Sequence, residues 1–308
     1  MSRVARAAGT AAVGALLWGT LVEPRLFTLR RHDVPVLPPR AAPIRVLQLS
    51  DLHLAPWQHR KIDWLRRLAE LRPDLLVLTG DLLGHTEART ALLRALRPLV
   101  QSGVPGVFVH GSNDYYGPIP KNPLKYLRAP SRLATRQPDI DNAALTAGLT
   151  DLGLVNLNNA STRMELRGTA LELFGLGDPH IRYDDPSRMR ASLGELRAAD
   201  PQPERNEPVR LGVVHAPYRA SLDVLLDEQA DLILAGHTHG GQVRVPGLGA
   251  LTSNCDLPVR QARGLSAWYD AERAAYLNVS AGLGASIFAP VRFACRPEAS
   301  LLTLVRAA

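Results

Sequence analysis

Short apolar runs alternate with amphipathic stretches along most of the chain. The run IRVLQLS at 44–50 predicts a buried strand, and KIDWLRRLAEL at 61–71 has apolar residues at helical spacing. Further strands are predicted at 74–80, 104–112, 154–159, 171–177, 209–215, 231–237, 274–282 and 299–307, and further helices at 87–98, 187–198 and 219–229. This order predicts an α/β (α+β) protein with a mixed sheet, or two packed sheets, covered by helices.

The N-terminus has a different pattern. Arg3 and Arg6 precede an apolar stretch at 7–22, and a positive start before an apolar run is typical of a signal peptide or signal anchor. The stretch falls just under the ~17–25 residues of a spanning helix, and no clear cleavage motif follows it. Residues 1–24 are therefore predicted to be a membrane anchor or uncleaved signal-like segment, and an ordinary buried helix is the alternative. The protein is therefore expected to be membrane-associated, on a side that the flanking charges leave open.

Two proline-rich segments interrupt the pattern. Residues 25–43, which include VPVLPPRAAP, are predicted to form an extended linker, so that one domain occupies 44–308. The stretch 115–142 has five prolines and no clear periodicity, which predicts a long loop. Its basic part, from Lys121 to Arg136, could meet an anionic substrate or lipid headgroups.

Composition adds two constraints. The net charge of +7 favours anionic partners, but aromatic residues make up only 5% of the chain, which makes nucleic acid an unlikely partner. The two cysteines, Cys255 and Cys295, cannot form a disulfide framework. They either pair with each other or are buried thiols, and the second alternative is favoured.

Polar residues follow the predicted strands at the points where these strands end. They are Asp51 and His53, then Asp81, then Asn113 and Asp114, then His215, and last His237 and His239. Open α/β sheets place their binding crevices at the carboxyl ends of strands. Burying so many polar groups without a partner such as a cation would cost several kcal/mol. We therefore expect a metal centre.

The residue types indicate which metals and which chemistry. Asp, His and Asn suit Mn, Fe, Zn or Ni, and a carboxylate can bridge two cations. Asp81 is the natural bridge because it stands alone between two groups of ligands. Two metals roughly 3.5–4 Å apart would clamp an in-line displacement at phosphorus and acidify a shared water to a bridging hydroxide.

The motifs DLHL, GD, GSND, a lone His after a strand and GHTHGGQ occur in the order of the calcineurin-like metallophosphoesterase superfamily. The chain most resembles the bacterial membrane-associated, phosphodiesterase-like branch. This resemblance implies a four-layer metallophosphoesterase fold, with two packed mixed β-sheets flanked by helices. It also implies a metal-dependent phosphoesterase with two bound metals, a phosphodiester being the favoured substrate.

Carried over from the resemblance, Asp51, His53 and His239 would hold the first metal. Asp81 would bridge, and Asn113, His215 and His237 would hold the second. His215 and His237 would also stabilise the transition state.

The third motif departs from the family pattern, which usually reads Gly-Asn-His-Asp or Gly-Asn-His-Glu. Here Ser112 and Asn113 stand where the ligand Asn and the His near the leaving group are expected. Asn113 is predicted to be the ligand, since an amide oxygen suits the site better than a hydroxyl. Asp114 or a metal-bound water would then replace the missing proton donor. The alternative is a catalytically weakened member that serves as a binding or scaffolding module.

The remaining histidines carry less weight. His59, His85, His110 and His180 are predicted to be surface or supporting residues, and His180, in GDPHIRYDD, is the best candidate for a substrate contact. The predicted partner is a phosphorylated small-molecule or lipid-linked substrate. The sequence leaves open whether it is a diester, a monoester, a phosphoprotein or a lipid pyrophosphate.

Overall fold

A computed structural model of the protein describes residues 3–101, 103–120, 137–199 and 207–307. Within them the α-helices are α1 (Arg3–Leu17), α2 (His59–Arg67), α3 (Arg89–Val100), α4 (Asn142–Asp151), α5 (Pro186–Ala199) and α6 (Arg219–Asp227). The strands are β1 (Thr28–Leu37), β2 (Ile44–Leu49), β3 (Leu75–Thr79), β4 (Gly106–Val109), β5 (Leu154–Asn156), β6 (Ala160–Leu166), β7 (Thr169–Gly175), β8 (Val209–Val213), β9 (Leu232–Ala235), β10 (Arg244–Val245), β11 (Gly249–Ala250), β12 (Gly264–Tyr269), β13 (Ala274–Val279) and β14 (Glu298–Arg306).

Two mixed sheets of six strands each organise the fold. The first has the order β1-β14-β2-β3-β4-β5, and the second has the order β12-β13-β9-β8-β7-β6. Strands β2 to β5 are parallel, as are β7, β8, β9 and β13, while β14 pairs antiparallel with β2. The short strands β10 and β11 form a separate antiparallel pair.

The sheets pack face to face between two layers of helices. Val77 and Val109 of the first sheet share a buried apolar cluster with Leu173 and Val213 of the second. On the outer faces, one cluster joins the first sheet to α2, α3 and α4, and another joins the second sheet to α5 and α6. The predicted four-layer architecture, two packed mixed sheets flanked by helices, is confirmed.

The prediction of a linker over 25–43 is wrong for most of its length. Residues Thr28–Leu37 form β1, which pairs in parallel with β14, and both Val34 and Leu37 are fully buried. Proline is tolerated at the edge of a sheet, so Pro35 does not prevent this strand. The sheet therefore begins at Thr28 and not at residue 44.

The proline-rich segment at 115–142 lies only partly within the described residues. The predicted basic loop from Lys121 to Arg136 falls outside them. Cys255 and Cys295 are both free and buried, as the second alternative for the cysteines predicted.

The N-terminal segment is helical and largely exposed. Helix α1 continues into a π-helical turn, Trp18–Val22, and a 3-10 turn, Glu23–Arg25. Residues 9–18 are exposed, which argues against an ordinary buried helix, whereas Gly19 and Glu23 are buried. Among the described helices, none combines the length and the apolar character needed to cross a membrane.

The buried end of this segment fastens a loop near the C-terminus. The Glu23 carboxylate accepts hydrogen bonds from the backbone amides of Ala294 and Cys295 and from the indole of Trp18. The backbone amide of Arg292 donates to the carbonyl of Gly19 at 2.8 Å. The turn that follows α1 is thus part of the folded domain.

Candidate metal centre

The predicted polar residues meet where strands of both sheets end. Asp51 and His53 follow β2, Asp81 follows β3, and Asn113 and Asp114 follow β4. From the second sheet, His215 follows β8, and His237 and His239 follow β9. The two sheets thus each supply one side of a single polar centre between them.

Four of these residues form a tight group. One candidate ligand atom from each of Asp51, His53, Asp81 and His239 lies within 4.8 Å of all the others. The Nε2 atom of His53 lies 3.2 Å from Nε2 of His239 and 3.4 Å from Oδ2 of Asp81. Nε2 of His239 is 3.5 Å from Oδ1 of Asp51. Imidazole nitrogens and carboxylate oxygens converging in this way are a suitable donor set for a transition-metal cation.

A second group lies on the other side of Asp81. The Nε2 atom of His215 is 3.5 Å from Oδ1 of Asp81, and it is buried without a hydrogen-bond partner among the described residues. Its Nδ1 atom lies 2.7 Å from the carbonyl of Thr79, which fixes the proton on Nδ1 and leaves the Nε2 lone pair free. A buried, unpartnered lone pair beside a carboxylate fits a metal ligand.

Asn113 and His237 lie close to this second group, but their side chains are engaged in hydrogen-bond contacts of their own. The amide nitrogen of Asn113 donates to Oδ2 of Asp81 at 2.7 Å, so Asn113 orients the carboxylate and would have to turn its oxygen toward a cation. The backbone amide of His237 donates to Asp51, and its ring lies edge-on to that of His215, with 5.2 Å between the ring centres. The side-chain Nε2 of His237 lies 3.2 Å from the carbonyl of Asn254.

Asp114 faces away from the centre. Its Oδ1 atom accepts hydrogen bonds from the backbone amides of Leu82 and Leu83, and Oδ2 accepts from that of Gly111. The side chain is fully buried. These contacts hold the loops after β3 and β4 together, and they do not favour the predicted role of Asp114 as a proton donor.

The loops that present the ligands have unusual backbone geometry. Positive φ values between 38° and 66° occur at Asp51, His53, Asp81, His237 and His239. For a residue with a side chain, this left-handed conformation costs about 1–2 kcal/mol. Such strain concentrates at functional sites, where the surrounding fold maintains it.

Position 111 requires glycine, because the backbone there lies very close to the side chain of Asp81. A Cβ atom at Gly111 would lie 2.3 Å from Oδ1 of Asp81 and 2.8 Å from Cε1 of His215. The backbone after β4 therefore lies directly against the Asp81 carboxylate.

The electrostatics of the cluster also fit a cation. Burial raises the pKa of Asp51 to about 7 and lowers the pKa of His53 to about 3. Burial lowers the pKa of His215 too, but the neighbouring carboxylates, chiefly Asp81, outweigh it and raise that pKa to about 9. A bound dication would neutralise the buried carboxylates. It would also take the place of the proton that these carboxylates favour on Nε2 of His215.

Several supporting residues were not predicted. Arg292 is fully buried, and its Nη2 donates to the carbonyls of Ala281, Gly282 and Gly284 and lies 3.5 Å from Nδ1 of His239. Nothing in the sequence around Arg292 signals this role, because its partners are backbone carbonyls, which every residue type offers.

Asp178 had a signal in the sequence, since it lies two residues before His180 in the GDPH segment. Its carboxylate is buried, and it accepts a hydrogen bond from the backbone amide of His180. The ring of His180 lies 4.6 Å from that of His237, and its Nδ1 is 3.0 Å from the hydroxyl of Tyr218. His180 is thus a neighbour of the centre, consistent with a supporting or substrate-contacting residue.

The other three histidines are not part of the cluster. His59 is exposed at the start of α2. His85 accepts a hydrogen bond from the backbone amide of Glu87, and His110 is buried with its Nε2 2.8 Å from the hydroxyl of Thr146. None of them lies among the residues that could hold a metal.

The layered fold and this cluster define a metal-dependent phosphoester hydrolase. The family described as calcineurin-like phosphoesterase matches residues 44–241, and the chain belongs to that family. The predicted family and enzyme class are thus confirmed.

Two relatives illustrate the similarity. Over 290 residues the chain is 31% identical to phosphodiesterase YaeI of Escherichia coli K12, which covers 92% of this chain and 90% of that protein. Over 325 residues it is 26% identical to the UDP-2,3-diacylglucosamine pyrophosphatase LpxG of Chlamydia trachomatis, covering 93% of this chain and 92% of that protein.

Proposed function

We propose that the protein hydrolyses a phosphodiester with a dinuclear metal centre in which Asp81 is the bridging ligand. The observation that carries this proposal is the position of the Asp81 carboxylate between two groups of donors. Oδ2 faces His53 at 3.4 Å, and Oδ1 faces His215 at 3.5 Å. A carboxylate with a separate imidazole at each oxygen is the arrangement that two neighbouring cations require.

The cations, when bound, supply Lewis-acid activation of water and neutralise charge on the phosphoryl group. Asp51, His53 and His239 would hold the first, and His215, His237 and Asn113 the second. The donor types suit Mn, Fe, Zn or Ni. The Thr79 carbonyl keeps the His215 proton on Nδ1, and the Gly284 carbonyl lies 3.0 Å from Nδ1 of His239. These contacts orient both rings with Nε2 toward the centre.

The substrate is proposed to be a diester with a good leaving group. Asp114 accepts three backbone hydrogen bonds, and Asn113 cannot supply a proton as a histidine would. Esters whose leaving groups need no protonation should therefore react best. The name of the relative YaeI supports a diester, and that of LpxG supports a lipid-linked substrate as the next candidate.

A cavity of about 610 Å³ beside the third motif would receive the rest of such a substrate. Its lining includes Tyr115, which directly follows Asp114, together with Asn159, Arg182 and Tyr183. Tyrosine, amide and guanidinium groups recognise polar or anionic substituents.

Membrane association is part of the proposal. Large apolar side chains remain exposed along the N-terminal segment, with Val13 at 58%, Leu16 at 59% and Leu21 at 55% of their full accessible area. A run of exposed apolar residues on one segment marks an interaction surface, and a lipid surface is the partner that an apolar helix with a positive start favours.

The proposal is tested with chelator-stripped protein. Mn, Zn, Fe and Ni are added back in turn, bound metal is counted, and hydrolysis of bis-p-nitrophenyl phosphate is compared with that of p-nitrophenyl phosphate. We expect two equivalents of metal and faster hydrolysis of the diester. His215→Ala should lose one equivalent and most of the turnover, whereas His59→Ala, at an exposed site, should match the wild type. One equivalent in the wild-type protein would contradict the dinuclear centre.

A binding or scaffolding module is the second candidate, and the altered third motif at Ser112 and Asn113 favours it. The same experiment separates the two functions. Two bound equivalents without turnover of either ester would favour the module, because metal binding would persist without chemistry.

A further inference from the structure

A groove beside the foot of the N-terminal segment carries a charge pattern that the metal centre does not use. Its volume is about 410 Å³, and it lies between the residues that follow α1 and the exposed side of α2. It is lined by Arg25, Leu26, Phe27, Arg60, Asp63, Trp64 and Arg67. The rings of Phe27 and Trp64 lie 5.5 Å apart, which gives the groove an aromatic wall.

The described part of the chain leaves the positive charge of this groove largely uncompensated. Arg60 and Arg67 are exposed and form no ion pair with any described residue. Within the same residues, the side chain of Arg25 donates to the backbone carbonyls of Leu21 and Thr20. Three guanidinium groups therefore face one carboxylate, that of Asp63, so the groove attracts an anion.

The surface next to the groove is apolar. Exposed side chains on the segment that leads directly to Arg25 are Val13, Leu16, Leu17, Trp18, Leu21 and Val22, each at 39–59% of its accessible area. An apolar surface continuous with an arginine-lined groove matches an anionic lipid layer, where acyl chains lie beside phosphate headgroups. A free anion would gain nothing from the apolar side chains.

We infer that this groove binds the headgroup of an anionic phospholipid while the apolar segment contacts the acyl region. The inference rests on the membrane association proposed above and adds a lipid class and a binding site to it. The aromatic wall of Trp64 and Phe27 suits the headgroup level of a bilayer, where aromatic side chains concentrate. The groove would thereby fix the orientation of the enzyme on the membrane.

The test is flotation of the full-length protein with vesicles at physiological ionic strength, where charges farther than about 8 Å apart are screened. One set of vesicles is phosphatidylcholine, and the other contains phosphatidylglycerol and phosphatidylcholine in equal parts. Arg60→Ala combined with Arg67→Ala should lower the partition coefficient on the anionic vesicles about 25-fold, at roughly fivefold for each basic residue at the surface.

The matched control combines Arg66→Ala with Arg94→Ala, which removes the same charge from exposed positions that do not line the groove. We expect this variant to keep its binding to anionic vesicles within about twofold of the wild type, because these charges lie outside the groove. Equal losses in both double variants would overturn the headgroup site, and so would equal binding of the wild type to both kinds of vesicle.

Two further outcomes distinguish a failure of the membrane association from a failure of the lipid assignment. Binding to neither kind of vesicle would refute the membrane association itself, whereas diester hydrolysis is measured independently and would be unaffected. If inorganic phosphate released the protein from anionic vesicles and chloride at the same ionic strength did not, the groove would be a general phosphate site and the lipid assignment would fail.

Discussion

At the scale of single residues, the third motif is where the sequence left two alignments open. Asn113 makes two contacts to Asp81, through its backbone amide at 2.8 Å and its side-chain amide at 2.7 Å. The structure gives Ser112 no comparable side-chain contact to the Asp81 carboxylate. The geometry therefore favours Asn113 as the residue that supports the centre.

Paired alanine variants should distinguish the two positions. Asn113→Ala removes a hydrogen bond that orients Asp81, and such losses typically weaken metal binding about 10- to 100-fold. Ser112→Ala should change it less than about twofold, since no support to the centre is lost. The measurement is calorimetric titration of stripped protein with Mn or Zn. If Ser112→Ala lost more metal affinity than Asn113→Ala, the ungapped alignment, with Ser112 at the ligand position, would be favoured.

The contacts of Asp114 predict a structural effect for its substitution. Asp114→Asn places an amide group against a backbone N–H that now donates to the carboxylate, so unfolding in urea should become easier by about 2 kcal/mol. Asp151→Asn, at an exposed helix position, is the control and should be neutral.

The same variant tests the proton-donor role. Across aryl diesters of increasing leaving-group pKa, the slope of log kcat should be the same for Asp114→Asn as for the wild type. A steeper slope in the variant would show that Asp114 protonates the leaving group after all.

At the scale of elements, the sequence predicted the central strands and missed strands at the edges. The apolar runs at β2, β3, β4, β8 and β9 were recognised because both of their faces are covered. By contrast, β1, β6 and β12 lie at sheet edges and keep partly exposed residues. Their mixed polar pattern, and Pro35 in β1, gave no strand signal.

The residues of the candidate metal centre were predictable for the same reason. Each follows a central strand, so its position in space could be read from the apolar run before it. Arg292, Glu23 and Asn254 could not be found in this way, because none of them follows a central strand and each acts through backbone groups, which carry no sequence signal.

Glu23 should be important for stability even though it lies in the predicted anchor. Glu23→Ala leaves the backbone amides of Ala294 and of the buried Cys295 without their acceptor, which should lower the free energy of unfolding by roughly 3 kcal/mol. Chemical denaturation provides the measurement, and Glu70→Ala, at an exposed position, provides the control. A loss no larger than that of the control would mean that other contacts fasten this turn.

At the scale of the whole molecule, the exposed N-terminal helix and the folded domain meet at Trp18. Deletion of residues 1–17 removes α1 and preserves the contacts of Trp18 and Glu23. We expect this truncation to abolish membrane partitioning in cell fractionation while hydrolysis of a soluble diester stays within about twofold of the wild type. Deletion of residues 1–24 should in addition destabilise the domain. Membrane partitioning that survives the shorter deletion would refute the anchor.

The pairing of β1 with β14 has a consequence for biosynthesis. Strand β14 lies between β1 and β2, although it follows them by some 250 residues of chain. During translation at about 5–20 residues per second, β1 and β2 therefore emerge tens of seconds before the strand that must separate them. The first sheet is therefore complete only after β14 has been synthesised. The membrane contact proposed for the N-terminal helix can therefore form well before the residues of the candidate metal centre are all in place.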